Sequence, residues 1–248
     1  MRDRSPNPPP GRDRRRATSD RSPAGRPRGP ITAITGGRLP KWVRDEILHS
    51  TGKDRREPAI NLLGTAVVEF AEGRYRTAAR ALREAKELSP RAATIRELLG
   101  LSEYELGDWE EALRELRTFR RLTGVTDHVA VELDCLRALG RPQEVTKAWE
   151  SLRNLDFAPD ADREARVVYG SFLLDQNAAV AAWEVVKPGR LGANPTPGDV
   201  RLWFVACKVA LAAGNHKTAT TIFRAIRKAD PGLAGLDELA DAIAKGST

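Results

Sequence analysis

The stretch Leu98–Phe119, LLGLSEYELGDWEEALRELRTF, decides how the chain is read. Leu, Glu, Ala and Arg, all strong helix formers, supply most of it. Gly107, Asp108 and Trp109 nevertheless interrupt it midway. A glycine at that place can take the left-handed conformation that ends a helix. Asp108 can cap the next helix, and Glu111, three residues on, completes a capping-box pattern. The spacing therefore predicts two helices folded back on each other, with Trp109 packed between them against the small Gly100 side.

The same pattern occurs 34 residues earlier. Ala66 stands over Gly100, Gly73 over Gly107, Tyr75 over Trp109, Ala78 over Ala112 and Leu82 over Leu116. Small positions match small, turn glycine matches turn glycine, and aromatic matches aromatic. Small residues let helices approach closely, and the bulky side chains fill the space beside them. Residues 200–233 repeat the arrangement through Trp203, Cys207, Gly214, Ala219, Phe223 and Pro231. Residues 127–158 are a degenerate unit with Gly140 at the turn and Pro142 opening the second helix. Residues 160–188, with Tyr169, Gly170, Ala182 and Trp183, are a weaker one.

This period and these positions resemble the tetratricopeptide repeat, a 34-residue unit of two antiparallel helices. The resemblance implies an all-α fold, a right-handed superhelical solenoid of tetratricopeptide-like helix hairpins. Residues 58–232 are expected to form about five hairpins. Residues 40–57 read as an N-terminal helix and linker, with Trp42, Val43, Ile47 and Leu48 on one face. Residues 233–248 read as a helix that caps the last apolar face, as solenoid ends require.

Charge is segregated. Residues 1–39 carry ten arginines against three aspartates and hold seven of the sixteen prolines, so the net +7 of the chain lies there and the remainder is neutral. Such a segment has almost nothing to bury and is expected to be a disordered basic tail. It lacks the apolar core of a signal peptide, and no apolar run is long enough to span a membrane, which points to a cytoplasmic protein with no membrane association. Arg outnumbers Lys 32 to 9, and in this bias the chain resembles small cytoplasmic tetratricopeptide repeat proteins of high-GC bacteria.

No catalytic pattern emerges. The glycines form neither of the phosphate-cradling motifs. His49, His128 and His216 lie far apart at helix ends or turns and read as surface or capping residues. Cys135 and Cys207 read as buried thiols. Glu110, Glu111 and Glu115 share a helix with Arg114 and Arg117 and read as a solvated face, with Glu110 and Arg114 paired across one turn. The sequence thus predicts no catalytic, cofactor or metal site, no enzyme activity and no small-molecule substrate.

Function then falls to surfaces. The resemblance implies a non-enzymatic adaptor or scaffold that holds a peptide or helix of a protein partner on the side lined by the first helix of each unit. The corresponding positions are Leu63, Val67 and Phe70, then Glu97, Leu101 and Tyr104, then Asp134 and Arg137, and finally Arg201, Phe204 and Lys208. Val67 and Leu101 stand where chaperone-binding relatives carry a carboxylate-gripping Asn, so an apolar or mixed groove suited to an amphipathic helix is expected. The chain's own helix at 40–50 is the competing occupant. A second reading is nucleic-acid or ribosome association through Arg12, Arg14, Arg15 and Arg16, whose charge can engage phosphates without reading sequence.

Overall fold

The computed structural model describes residues 31, 34, 38–152 and 158–246. The basic segment through residue 30, with Arg12, Arg14, Arg15 and Arg16, lies outside the described residues. Three residues of the expected tail do not behave as one. Ile31 and Leu39 are buried and Ile34 packs beside them in the first core, so the folded part begins before residue 40.

Twelve α-helices account for the fold among the described residues, and there is no strand. A first helix α1 (Lys41–Ser50) and a short 3-10 turn precede five hairpins. These are α2 (Arg56–Ala71) with α3 (Tyr75–Leu88), α4 (Ala93–Glu105) with α5 (Trp109–Thr123), α6 (Val129–Ala138) with α7 (Pro142–Leu152), α8 (Pro159–Asp175) with α9 (Ala179–Val186), and α10 (Pro197–Ala212) with α11 (His216–Ala229). A last helix, α12 (Leu236–Lys245), packs on α10 and α11. Each hairpin touches the next, so the chain is an all-α solenoid.

One turn builds all five hairpins. Gly73, Gly107, Gly140, Asn177 and Gly214 have positive φ and stand 34, 33, 37 and 37 residues apart. After each, the next amide reaches back over the helix end: Arg74 to Glu69, Asp108 to Glu103, Arg141 to Leu136, Ala178 to Leu173 and Asn215 to Ala210, at 2.8–3.0 Å. This closure satisfies carbonyls that a helix end leaves bare. Asn177 does in the fourth hairpin what glycine does in the others, and its short polar side chain is what makes φ 58° accessible.

The helices of a hairpin close where a small residue faces a large one. A Cβ on Gly100 would lie 2.7 Å from Cγ of Leu116, and a Cβ on Gly170 would overlap Val186. Both pairs are 16 residues apart. The partner of Gly100 is therefore Leu116 and not Trp109. Trp109 is half-buried and stands edge-on to Tyr104, with ring centroids 5.3 Å apart. Asp108 occupies the N-cap of α5 but makes no side-chain capping bond, so the expected capping box is absent there. A capping box exists at Thr196–Asp199, where α10 begins.

The charged faces are also less solvated than expected. Glu115 is fully buried, accepting from Lys86 of α3 at 3.1 Å and Arg96 of α4 at 2.6 Å. Glu110 pairs across the hairpin boundary with Arg141 at 2.8 Å, and Arg114 bonds Glu111 and Glu115 instead. Arg120 of α5 donates twice to Glu132 of α6. The buried Glu115 and Glu132 key α5 to the hairpin before it and the hairpin after it.

Candidate functional site

Successive first helices lie side by side in the middle of the solenoid, and a ladder of polar side chains crosses α4, α6 and α8, with a separate rung between α8 and α10. Tyr104 on α4 donates its hydroxyl to Asp134 on α6 at 2.7 Å. Asp134 pairs with Arg137 one turn on, and Arg137 reaches Asp175 on α8 at 2.8 Å. Arg201 on α10 donates to Glu164 on α8 at 3.0 Å. Burial, reinforced by the bond to Asp134, holds the Tyr104 phenol well above its ordinary range, so its proton stays in place as a donor.

The predicted groove residues divide along this ladder. Leu63 and Val67 are 0% and 2% exposed, and both belong to the core that takes in Val43 and Ile47 of α1. They are packing residues, unable to touch a partner. Glu46 of α1 also accepts the Ala93 and Thr94 amides at 2.5 and 3.2 Å, so α1 is fastened to both α2 and α4. Phe70 is half-buried against Tyr75 at 5.2 Å. Glu97 is buried too, held by His128 at 2.8 Å. That bond moves His128 from the surface role expected of it to a link between α4 and the start of α6.

Leu101 and Tyr104 are half-exposed, and Arg201 and Lys208 are exposed. Phe204 is half-buried and packs under Gly235, whose absent side chain leaves room for the ring. The available positions thus fall in two groups, Leu101, Tyr104, Asp134 and Arg137 on α4 and α6, and Arg201 and Lys208 on α10. The surface they form is polar and ion-paired rather than apolar, because the apolar positions of the first hairpin are consumed by α1. Sequence spacing placed Asp134 and Arg137 on it, while Glu164 and Asp175 went unnoticed, their phase hidden by the Asn at the fourth turn.

Neither thiol is poised for chemistry. Burial pushes Cys135 up to about 12 and Cys207 up to about 11, and the Cys207 thiol donates to the Ala219 carbonyl at 3.3 Å. Among the described residues no cluster of His, Cys, Asp and Glu could hold a metal, and no helix is long and apolar enough to cross a membrane.

No curated protein matches the chain. Residues 63–122, which run from within α2 to near the end of α5, match the tetratricopeptide repeat family. That segment holds the Gly73 and Gly107 turns and the Gly100–Leu116 contact, so the first two hairpins, α2–α3 and α4–α5, are the part of this all-α solenoid that is similar to that family.

Proposed function

We propose that the chain is a non-enzymatic adaptor that holds a segment of a protein partner on the face of α4, α6, α8 and α10, and that it works in the cytoplasm without a small-molecule substrate. The observation that carries this reading is two sets of bonds across the first helices, Tyr104–Asp134–Arg137–Asp175 and Glu164–Arg201, which hold charged side chains from consecutive repeats in fixed positions. Side chains locked by their neighbours lose little entropy on binding, which is what a rigid recognition surface needs. Leu101, Tyr104, Arg201, Phe204 and Lys208 remain contact positions in this proposal. The test is capture of partners from native-host lysate by the parent chain and by a Leu101→Arg, Lys208→Glu variant. The variant is expected to lose proteins that the parent retains. Identical captured sets, with helicity unchanged by circular dichroism, would remove the face from consideration.

The segregated +7 charge supports a second reading, phosphate contact through Arg12, Arg14, Arg15 and Arg16. Changing those four to Gln should weaken RNA or DNA retention in gel shifts and reduce its salt dependence. Equal retention by both chains would dismiss it.

A further inference from the structure

Where the turns of the second and third hairpins meet the end of α8, the ladder opens into a cleft of about 630 Å3. Trp109, Asp134, Arg137, Arg141, Phe172 and Asp175 are among its lining residues. The aromatic rings come from α5 and α8, and the charges stand between them.

Charge decides what such a cleft can take. Arg137 is shared by Asp134 and Asp175, at 3.1 and 2.8 Å. Arg141 is shared by Glu110 and Glu144, at 2.8 and 3.7 Å. The charges that line the cleft, Asp134 and Asp175 against Arg137 and Arg141, balance, and Glu110 and Glu144, which hold Arg141 from behind the lining, tip its surroundings to negative. An anionic ligand would meet that excess. The bonds of Arg137 to Asp175 both fall on Oδ2, which leaves Oδ1 of this half-exposed carboxylate for an incoming donor. The face of an aromatic ring such as Trp109 is itself favourable to a cation.

We propose that this cleft takes an arginine or lysine side chain from a basic, extended segment of a partner protein. The proposal rests on the adaptor reading above and adds the chemistry of the bound segment. The incoming cation lies beside Trp109, donates to Asp175 and leaves Arg137 and Arg141 in place as the frame. The apolar stem of the side chain covers Phe172.

The test uses the full chain and two peptides, acetyl-Gly-Arg-Gly-amide and its citrulline counterpart, which has nearly the same shape without the charge. Binding is followed by nuclear magnetic resonance through the Trp109 indole N–H, assigned by its loss in Trp109→Phe. The arginine peptide should shift that signal saturably, bind at least about fivefold more tightly than the citrulline peptide, and weaken as salt rises. Asp175→Asn should bring the arginine peptide down to the citrulline level, while Asp175→Glu should preserve the preference. Equal affinity for the two peptides, or an Asp175→Asn chain that still prefers arginine, would overturn the proposal. Binding that appears only once Arg12, Arg14, Arg15 and Arg16 are changed to Gln would overturn it too, by making the chain's own basic segment the occupant. If the peptides fail while Leu101→Arg, Lys208→Glu still loses captured proteins, this assignment alone falls. If capture is also unchanged, the adaptor reading falls with it.

Discussion

At Gly100 a single hydrogen atom decides whether α4 and α5 can close. A methyl group there would sit 2.7 Å from Cγ of Leu116 and 3.2 Å from its backbone nitrogen, and the latter cannot rotate away. Gly100→Ala is therefore expected to cost about 1–3 kcal/mol by urea unfolding, despite the better helix propensity of Ala. Combining it with Leu116→Val should recover part of the loss; two strictly additive penalties would refute the clash. Trp109, by contrast, is half-buried, so Trp109→Ala should cost about 2 kcal/mol, less than a fully buried ring. Two buried glutamates give predictions of opposite sign. Burial opposes ionisation of Glu115, but the bonds from Arg96 and Lys86 outweigh it and hold the carboxyl below its usual 4.5. Its stabilising contribution is present above that value and is lost as pH falls through the depressed one. Burial wins at Glu103, which Arg83 reaches at 2.7 Å through one oxygen while the other has no partner, and its carboxyl is raised. Protonation of Glu103 therefore favours the folded state, and that benefit is lost as pH rises through the raised value. At pH 7, Glu115→Gln should cost about 2–3 kcal/mol and Glu103→Gln should gain about 1 kcal/mol. In melting curves taken at falling pH, the Glu103→Gln difference should shrink first, as pH drops through the raised value, and the Glu115→Gln difference only once pH has dropped through the depressed one. A loss of stability in Glu103→Gln at pH 7 would contradict the assignment.

The elements show what was legible in the sequence and what was not. Turns made by glycine were readable, because Gly73, Gly107, Gly140 and Gly214 break strong helical runs. The fourth turn was hidden, since Asn177 is not a conventional breaker and its effect depends on a left-handed φ that only the fold reveals. Finding it sets the unit in register: Gly170 precedes Asn177 by the seven residues that separate Gly100 from Gly107. Asn177→Gly should stabilise the chain by about 0.5 kcal/mol, because glycine carries no penalty at positive φ. Asn177→Ala should destabilise it, and equal melting temperatures for the two would refute a strained turn. The docking of α1 was half legible. Its apolar face, Val43 and Ile47, followed from spacing, and both residues are fully buried. Its fastening by Glu46 did not, because the carboxylate caps a helix 47 residues away in sequence. The ends of α4 explain why that bond exists: Ala92 at its N-cap has no side chain able to accept an amide. The carboxylates of the candidate site were unreadable for the same reason. Asp134 was placed by its repeat position and its pair with Arg137 lies within one helix, but its bond to Tyr104 and the bond of Arg137 to Asp175 cross between hairpins, which no single repeat contains.

In a molecule built by stacking, stability is local, since each hairpin is held mainly by its neighbours. The second helices are not equally held. Five residues of α3 and five of α5 are buried, whereas α7 buries only Val145 and Leu152 and α9 only Ala182 and Val186. Of these last two, α9 packs on both α8 and α10, while α7 packs chiefly on α6. The first helix of that hairpin is secured independently, because α6 packs directly on both α5 and α8. It follows that α7 can leave its place without parting α6 from its neighbours, while α5 cannot open without uncovering Leu116, Phe119 and the buried Glu115. The positions from Tyr104 to Arg201 are carried by α4, α6, α8 and α10, so such opening would leave them in place and would disturb the proposed cleft only at its Arg141 and Pro142 edge. Native-state hydrogen exchange tests this directly. Amides of α7 should exchange through an opening about 2 kcal/mol cheaper than that of α4 and α5. Val145→Ala should widen the gap by lowering protection in α7 alone, whereas Leu116→Ala should lower it across α4, α5 and the helices stacked on them. If α7 and α5 exchange with the same free energy, and Val145→Ala lowers both together, the solenoid opens as one unit and the reading of α7 as its loosest element is wrong.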